Sequence, residues 1–396
     1  MSISYFIPDW DDRVDPSYDF LTDKHTPGRN PYRDDDYAHE IYGIPPYDGV
    51  LISRAVIDAH RKKRQAILNA GSVHNYLRLP DGAQVMGDCG AFTYWQEDEP
   101  PYKTEEIIEY YQQLKFDIGV SIDHLIFTEL ESEKERRWNI TVENAKEFMR
   151  LYERGKSHYT FIPMGVAQGW NPDSYRHSVE KLMEIGYTYI ALGGLVRSTS
   201  KDIIQVLEAV KPILQEGTQL HLFGVSRPDH IQTFSDLRVT SFDSASRLRR
   251  AWMDGRRNYF LGNVAFSAIR VPDAHRLVKK IEGISEANAL RLEQVALDAL
   301  RAYDHQKVSL DTVYDAVIAY AEFAGDVTER TRSDYRETLA RRPWNYCECV
   351  ICKAINIEVI IFRGNNRNRR RGFHNTWQLY QQLHGYRQEP PPPLDI

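Results

Sequence analysis

From Gly49 onward, short apolar runs alternate with longer stretches in which apolar positions recur every three or four residues. The runs are GVLISRAVI, AQVMGDCG, DIGVSIDHLIF, YTFIPMGVAQG, YTYIALGGL, QLHLFGVS and RVTSFDSAS. Short, rich in β-branched residues and bounded by glycine or polar positions, they predict strands. The stretches KTEEIIEYYQQLK, TVENAKEFMRLYERG and NPDSYRHSVEKLMEIG predict helices. In the last, Asn171 is placed to cap the helix, Pro172 to occupy its first turn and Gly186 to end it. Repeated strand–helix units imply a parallel sheet, and seven or more of them in about 230 residues suit a closed (β/α)₈ TIM barrel better than two doubly wound domains, the alternative.

The pattern sets provisional boundaries. Residues 1–48, rich in Asp, Pro and Tyr without periodicity, predict an extended N-terminal arm. The barrel core is expected over 49–284. Two helical stretches with no strand between them, SEANALRLEQVALDALRAYD and LDTVYDAVIAYAEFAG, predict a helical insertion over 285–340. A metal-binding subdomain with a closing helix follows over 341–385, and a Pro-rich tail over 386–396.

Composition narrows the class. No apolar run approaches the roughly 18 residues needed to cross a bilayer, and MSISYFIPDWDDR lacks the basic-then-apolar layout of a secretory signal, so a cytoplasmic location is expected. The net charge of −6 argues against a chain that binds nucleic acid over its whole surface. Basic residues are nonetheless concentrated in RLRRAWMDGRR (247–257) and RGNNRNRRRG (363–372). Such runs are ordinary solvated faces when met singly, but these two flank candidate chemistry.

Three of the four cysteines fall within six positions, CECVIC, and a histidine follows after 21 intervening residues. Cys347, Cys349, Cys352 and His374 are the three-sulfur, one-nitrogen set that zinc favours. Four protein ligands leave no open position, so such a zinc ion would hold structure and do no chemistry.

In a parallel barrel the active site lies at the C-terminal strand ends. Asp88 closes AQVMGD, Asp123 closes GVSID, Gln168 follows MGVA and Asp243 closes VTSFD. Taken singly, each is an unremarkable turn or cap residue. Together they can supply a nucleophile, a general acid/base and a reader for a flat polar ligand. Gly193 and Gly194 would let a planar base approach the backbone, and Phe92 and Phe223, each beside a strand end, can stack on one.

The order of these motifs resembles the tRNA-guanine transglycosylase superfamily, zinc-bearing (β/α)₈ barrels that swap guanine for a 7-deazaguanine. The resemblance runs from Asp88 to Tyr380: DCGAF, GVAQG, ALGGL, FGVSRPD, FD, and C-x-C-x-x-C followed by His-Asn. It implies Asp243 as nucleophile, Asp88 as general acid/base, and Asp123, Gln168, Gly193, Gly194 and Leu195 as base readers, with Phe92 and Phe223 at the stacking positions.

The departures concern the polymer. Where family members acting on tRNA carry a P-T-R-type segment after the nucleophile, this chain reads DSASRLRRAW. The helical insertion, the N-terminal arm and the expected lack of an appended RNA-binding domain also differ. These traits resemble the branch that modifies DNA, which implies 7-cyano-7-deazaguanine (preQ0) as incoming base and leaves room for accessory proteins that open or remodel the duplex. Arg247, Arg249, Arg250, Arg256 and Arg257 are the candidate phosphate contacts, joined by Arg369, Arg370 and Arg371 between the third and fourth metal ligands. The competing expectations are tRNA exchange with the same residues and a non-catalytic scaffold on a decayed barrel. The second fits poorly, since Asp88 and Asp243 are both present.

Overall fold

A computed structural model describes residues 3–386 apart from 282 and 326. The chain divides into two compact units, one comprising the residues up to Asp11 and Tyr47–Ala245, the other Asp12–Pro46 and the residues from Ser246 on.

The first unit is a closed eight-stranded parallel barrel: β1 Ser4–Pro8, β2 Gly49–Ser53, β3 Gln84–Asp88, β4 Ile118–Val120, β5 Ile162–Ala167, β6 Tyr189–Leu192, β7 Gln219–Leu222 and β8 Val239–Asp243. Closure, with Phe6 of β1 in register with Asp243 of β8, excludes the doubly wound alternative. Seven strands fall where the apolar runs predict them. The eighth corrects the N-terminal boundary: SYFIP is a barrel strand and not part of an arm, its Tyr5, Phe6 and Ile7 all buried. Three apolar residues pressed between Ser and Pro and followed by DWDD carry too short a run to stand out, although a strand buried on both faces needs no more. The barrel unit also ends earlier than expected, at Ala245 and not near residue 284.

Inward side chains fill the barrel. Phe6, Leu51, Met86, Ile118, Val120, Met164, Val166, Tyr189 and Ala191 form one cluster with Phe223 against it, so the barrel is packed below and open only at its mouth. The helix Pro172–Ile185 has the predicted ends: Asn171 accepts from the Ser174 N–H at 2.8 Å, and Gly186 adopts φ 112°.

In the second unit, a two-stranded antiparallel ribbon, Tyr259–Leu261 with Val264–Phe266, precedes the insertion. The insertion begins at its Ser285 cap but holds three helices instead of two: Glu286–Asp304, Leu310–Phe323 and Glu329–Arg341. The third, ERTRSDYRETLAR, buries Tyr335, Thr338, Leu339 and Arg341, too thin an apolar stripe to signal itself. The helix Gly364–Leu383 carries His374 and closes the unit. Among the described residues no helix is long and apolar enough to cross a membrane. The expected Pro-rich tail lies, from residue 387 on, outside the described residues.

Candidate active site and metal centre

Each predicted carboxylate stands at or just past a strand end because the strand's inward residues are committed to the core and only the last position reaches the mouth. Asp88, Asp123 and Asp243 line one cavity of about 260 Å³ together with Phe92, Gly193, Gly194 and Phe223. That size has room for a planar base.

The cavity walls are mostly apolar, and burial sets the electrostatics. Burial first, and then the neighbouring charges of Asp123 and Asp243, push the Asp88 carboxyl up to about 7. Burial raises Asp123 to about 6, opposed by the Gln168 Nε2–H that donates to its Oδ2 at 2.7 Å. Two acids near neutrality in one cleft suit proton transfer.

Gln168 sits behind Asp123, fully buried, and its Oε1 accepts no hydrogen bond. A Cβ on Gly194 would come within 2.9 Å of that oxygen, and the residue holds φ 77°, so glycine is required there twice over. Leu195 departs from expectation: its side chain is buried and turned to a neighbouring depression, while Val196 lines the base-sized cavity. Phe92 is 52% exposed at the rim.

Asp243 is held by partners the sequence reading did not single out. Its Oδ1 accepts from the Gly224 backbone N–H at 2.8 Å and lies 3.2 Å from His221 Nε2. Both had a signal. His221 lies two residues before Phe223 and therefore on the same inward face, and Gly224 opens the FGVSRPD turn with φ 68°. Asp9 and Trp10, just past β1, also line the mouth and went unnoticed with their strand.

The second unit gathers Cys347, Cys349, Cys352 and His374 into one buried group. Each sulfur lies 3.4 to 3.5 Å from His374 Nδ1, close to the ~3.6 Å edge of a tetrahedron with metal–sulfur near ~2.3 Å and metal–nitrogen near ~2.1 Å. His374 Nε2 lies 2.6 Å from the Phe260 carbonyl oxygen and donates to it, which turns the Nδ1 lone pair toward the sulfurs. Tyr259 stacks on the imidazole at 4.2 Å, and Gln378 Nε2 donates to Cys347 Sγ at 3.4 Å. Donor set, spacing and supporting bonds fit a four-coordinate metal ion.

The arginine candidates separate. Arg371 is fully buried, its guanidinium donating to the carbonyls of Val359, Ile361 and Ala251, and Arg370 is buried on the Asp15 carbonyl. Arg369 donates to the Arg13 carbonyl at 2.8 Å. The expectation that Arg370 and Arg371 meet a phosphate backbone is thus corrected: they satisfy main-chain oxygens of the interior. Within 247–257, Arg247 lies over the Phe260 ring at 3.8 Å and Arg256 pairs with Asp334 at 2.6 Å, whereas Arg250 and Arg257 are exposed and Arg249 half-buried.

The family model for queuine tRNA-ribosyltransferase matches residues 49–256, which take in seven barrel strands and all three carboxylates. The chain belongs to the tRNA-guanine transglycosylase family. A family member from Salmonella montevideo, a DNA-guanine transglycosylase, is 44% identical over 407 residues, covering 96% of each chain. The tRNA-guanine(15) transglycosylases of Methanopyrus kandleri and Pyrococcus furiosus are 28% and 27% identical over about half of this chain, which spans 43% and 34% of their lengths. The likeness to these transglycosylases is thus confined to part of each chain, whereas the likeness to the Salmonella protein runs almost end to end.

Proposed function

We propose that this transglycosylase exchanges guanine in DNA for a 7-deazaguanine base, with 7-cyano-7-deazaguanine as the incoming base, through a covalent ester between Asp243 and the deoxyribose. The observation that carries this is one base-sized cavity with Asp88 and Asp243 both in its wall, in a chain alike over nearly its whole length to a DNA-guanine transglycosylase.

The chemistry follows from the residues. The N-glycosidic bond breaks through a positively charged sugar, which the Asp243 carboxylate stabilises and then traps. Asp88, protonated near neutrality, gives its proton to the departing guanine and takes one back from the incoming base, so two displacements retain configuration. Asp123 accepts from the base N–H groups, Gln168 and the backbone at Gly193, Gly194 and Leu195 bound its carbonyl side, and Phe92 and Phe223 cover its faces. Extruding a guanosine from a duplex costs a few kcal/mol, which phosphate contacts at Arg249, Arg250 and Arg257 offset and accessory proteins that open the duplex would lower. The Cys347, Cys349, Cys352 and His374 group holds zinc, which fixes local structure and takes no part in the exchange. A substrate of this kind places the protein in the cytoplasm.

Labelled guanine offered with plasmid DNA or with tRNA tests the polymer. Label entering DNA is expected, and label entering tRNA alone overturns the reading.

Acidity gives a second test. Both carboxyls are raised, so Asp88 remains a proton donor up to about 7, while Asp123 becomes a full acceptor above about 6. Covalent adduct formation in a single turnover should therefore peak between those values and fall about tenfold per pH unit on the alkaline side, the two limbs belonging to the coupled pair. Stability should drift the opposite way to an ordinary salt-bridged carboxylate. The folded state binds these protons more tightly than the unfolded chain, so stability falls as pH rises from 3.8 toward 7. A flat rate profile from pH 6 to 9 would remove Asp88 from the role.

A further inference from the structure

We infer that His221 is a positioning residue for Asp243, and that with Ser241 and Tyr189 it forms a buried hydrogen-bonded relay that governs how readily the carboxylate leaves the sugar. The inference rests on Asp243 being the nucleophile.

Four side chains on three neighbouring strands make the relay. Tyr189 comes from β6, His221 from β7, and Ser241 and Asp243 from β8, all on the inward face. The Tyr189 hydroxyl lies 2.6 Å from Ser241 Oγ, Ser241 Oγ lies 2.8 Å from His221 Nδ1, and His221 Nε2 lies 3.2 Å from Asp243 Oδ1. His221 is fully buried, and Ser241 and Tyr189 are nearly so, with Phe6 edge-on to the imidazole at 6.0 Å and Phe223 at 4.8 Å.

The acceptor fixes the end of the relay that meets the nucleophile. A carboxylate oxygen accepts, so His221 Nε2 carries the hydrogen donated to Asp243 Oδ1, while Nδ1 faces Ser241 Oγ, which in turn is hydrogen-bonded to the Tyr189 hydroxyl.

Two donors, His221 Nε2–H and Gly224 N–H, therefore converge on Oδ1, while Oδ2 accepts none among the described residues and is left for the sugar. In the first displacement the C1′–N bond to guanine breaks, its electron pair leaving with the base as Asp88 supplies a proton, and Oδ2 bonds to C1′. Oδ1 is then the ester carbonyl oxygen. In the second, the incoming base attacks C1′ with its ring nitrogen and gives its proton to Asp88, and the C1′–Oδ2 pair returns to the carboxylate. Charge returning to the carboxylate is shared with Oδ1, where the two donors wait, so His221 assists departure the way an oxyanion donor assists collapse of an acyl intermediate.

The test separates trapping from release. Guanine-containing DNA is incubated with enzyme, the covalent adduct is trapped by denaturation, and a parallel sample is chased with free guanine. His221→Phe keeps a ring in the pocket and removes the donor; its chase should slow about 10²-fold, with KM for DNA changed less than about threefold. His221→Gln, which keeps an N–H, should recover to within about tenfold of the parent. Ser241→Ala, leaving His221 in place, should fall between them and carries the test if His221→Phe does not fold. A folded His221→Phe, or in its absence Ser241→Ala, that chases at the parent rate overturns the inference. So does a Gln variant no better than Phe. If the parent itself yields no adduct, the nucleophile assignment has failed, which is a different result.

Discussion

Asp243→Ala should abolish the covalent adduct with DNA and lower guanine exchange on the order of 10⁴-fold or more, with the protein still folded. The other carboxylates on the cavity wall are poorly placed to replace it, and Asp9 is tied up by Lys63 and the Asp11 N–H. Asp88 is raised to about 7 and Asp123 to about 6, so both are partly protonated at working pH, and Asp123 is engaged by Gln168. Asp243 has Oδ1 held by two donors, which leaves Oδ2 to attack. Removing a nucleophile that works with a general acid costs far more than removing a binding contact, because the two act as a unit. Folding is expected to survive, since alanine leaves the Gly224 N–H at the half-open mouth and His221 still bonded to Ser241. Exchange at the parent rate in the folded variant would exclude Asp243, and a normal adduct would show that a different group attacks. Asp243→Asn sharpens the result: it keeps volume and hydrogen bonds but not nucleophilicity, and should be as inactive as alanine.

Much of this site is legible in the sequence because barrel geometry turns a one-dimensional signal into a place. Once apolar runs are read as parallel strands, whatever polar residue ends a run is at the mouth, which is how Asp88, Asp243 and Gln168 are found before any coordinates. What escapes is of two kinds. The strand SYFIP is too short for periodicity and is recognised only by what it pairs with, so Asp9 and Trp10 go unseen with it. The arginines of 363–372 escape for a different reason: charge alone carries no helical phase. Arg367 and Arg371 lie seven and three positions before His374, and Gln378 four after, so all share one helix face. A metal-ligating histidine must face inward, and that alone places those two guanidinium groups in the interior. The relay behind Asp243 is equally within reach, since His221 and Phe223 alternate on a strand whose inward face is already implied.

The metal centre carries the second large effect. Cys349→Ser should release the metal and destabilise the unit that holds it by several kcal/mol, lowering its melting temperature by roughly 10 °C or more. Cys349 has two jobs: its sulfur is one of the four donor atoms that could hold a metal, and as the cap of the helix Val350–Ile355 it accepts from the Cys352 N–H at 3.4 Å. Serine can keep the cap but is a poor zinc ligand, so the substitution isolates the metal contribution. Around it, His374 is fully buried and Cys347, Cys349 and Cys352 nearly so, and without a cation three thiols and an imidazole would crowd one pocket with no apolar packing to replace the lost coordination. The parent protein should contain one zinc per chain by elemental analysis. Replacing zinc by cobalt should produce the intense visible bands of a tetrahedral thiolate site. Because the four ligands fill the shell, restoring zinc to metal-depleted protein should restore melting temperature and exchange together. A parent protein without stoichiometric metal, or a Cys349→Ser variant that melts like the parent, would show that these four residues pack as an ordinary reduced core.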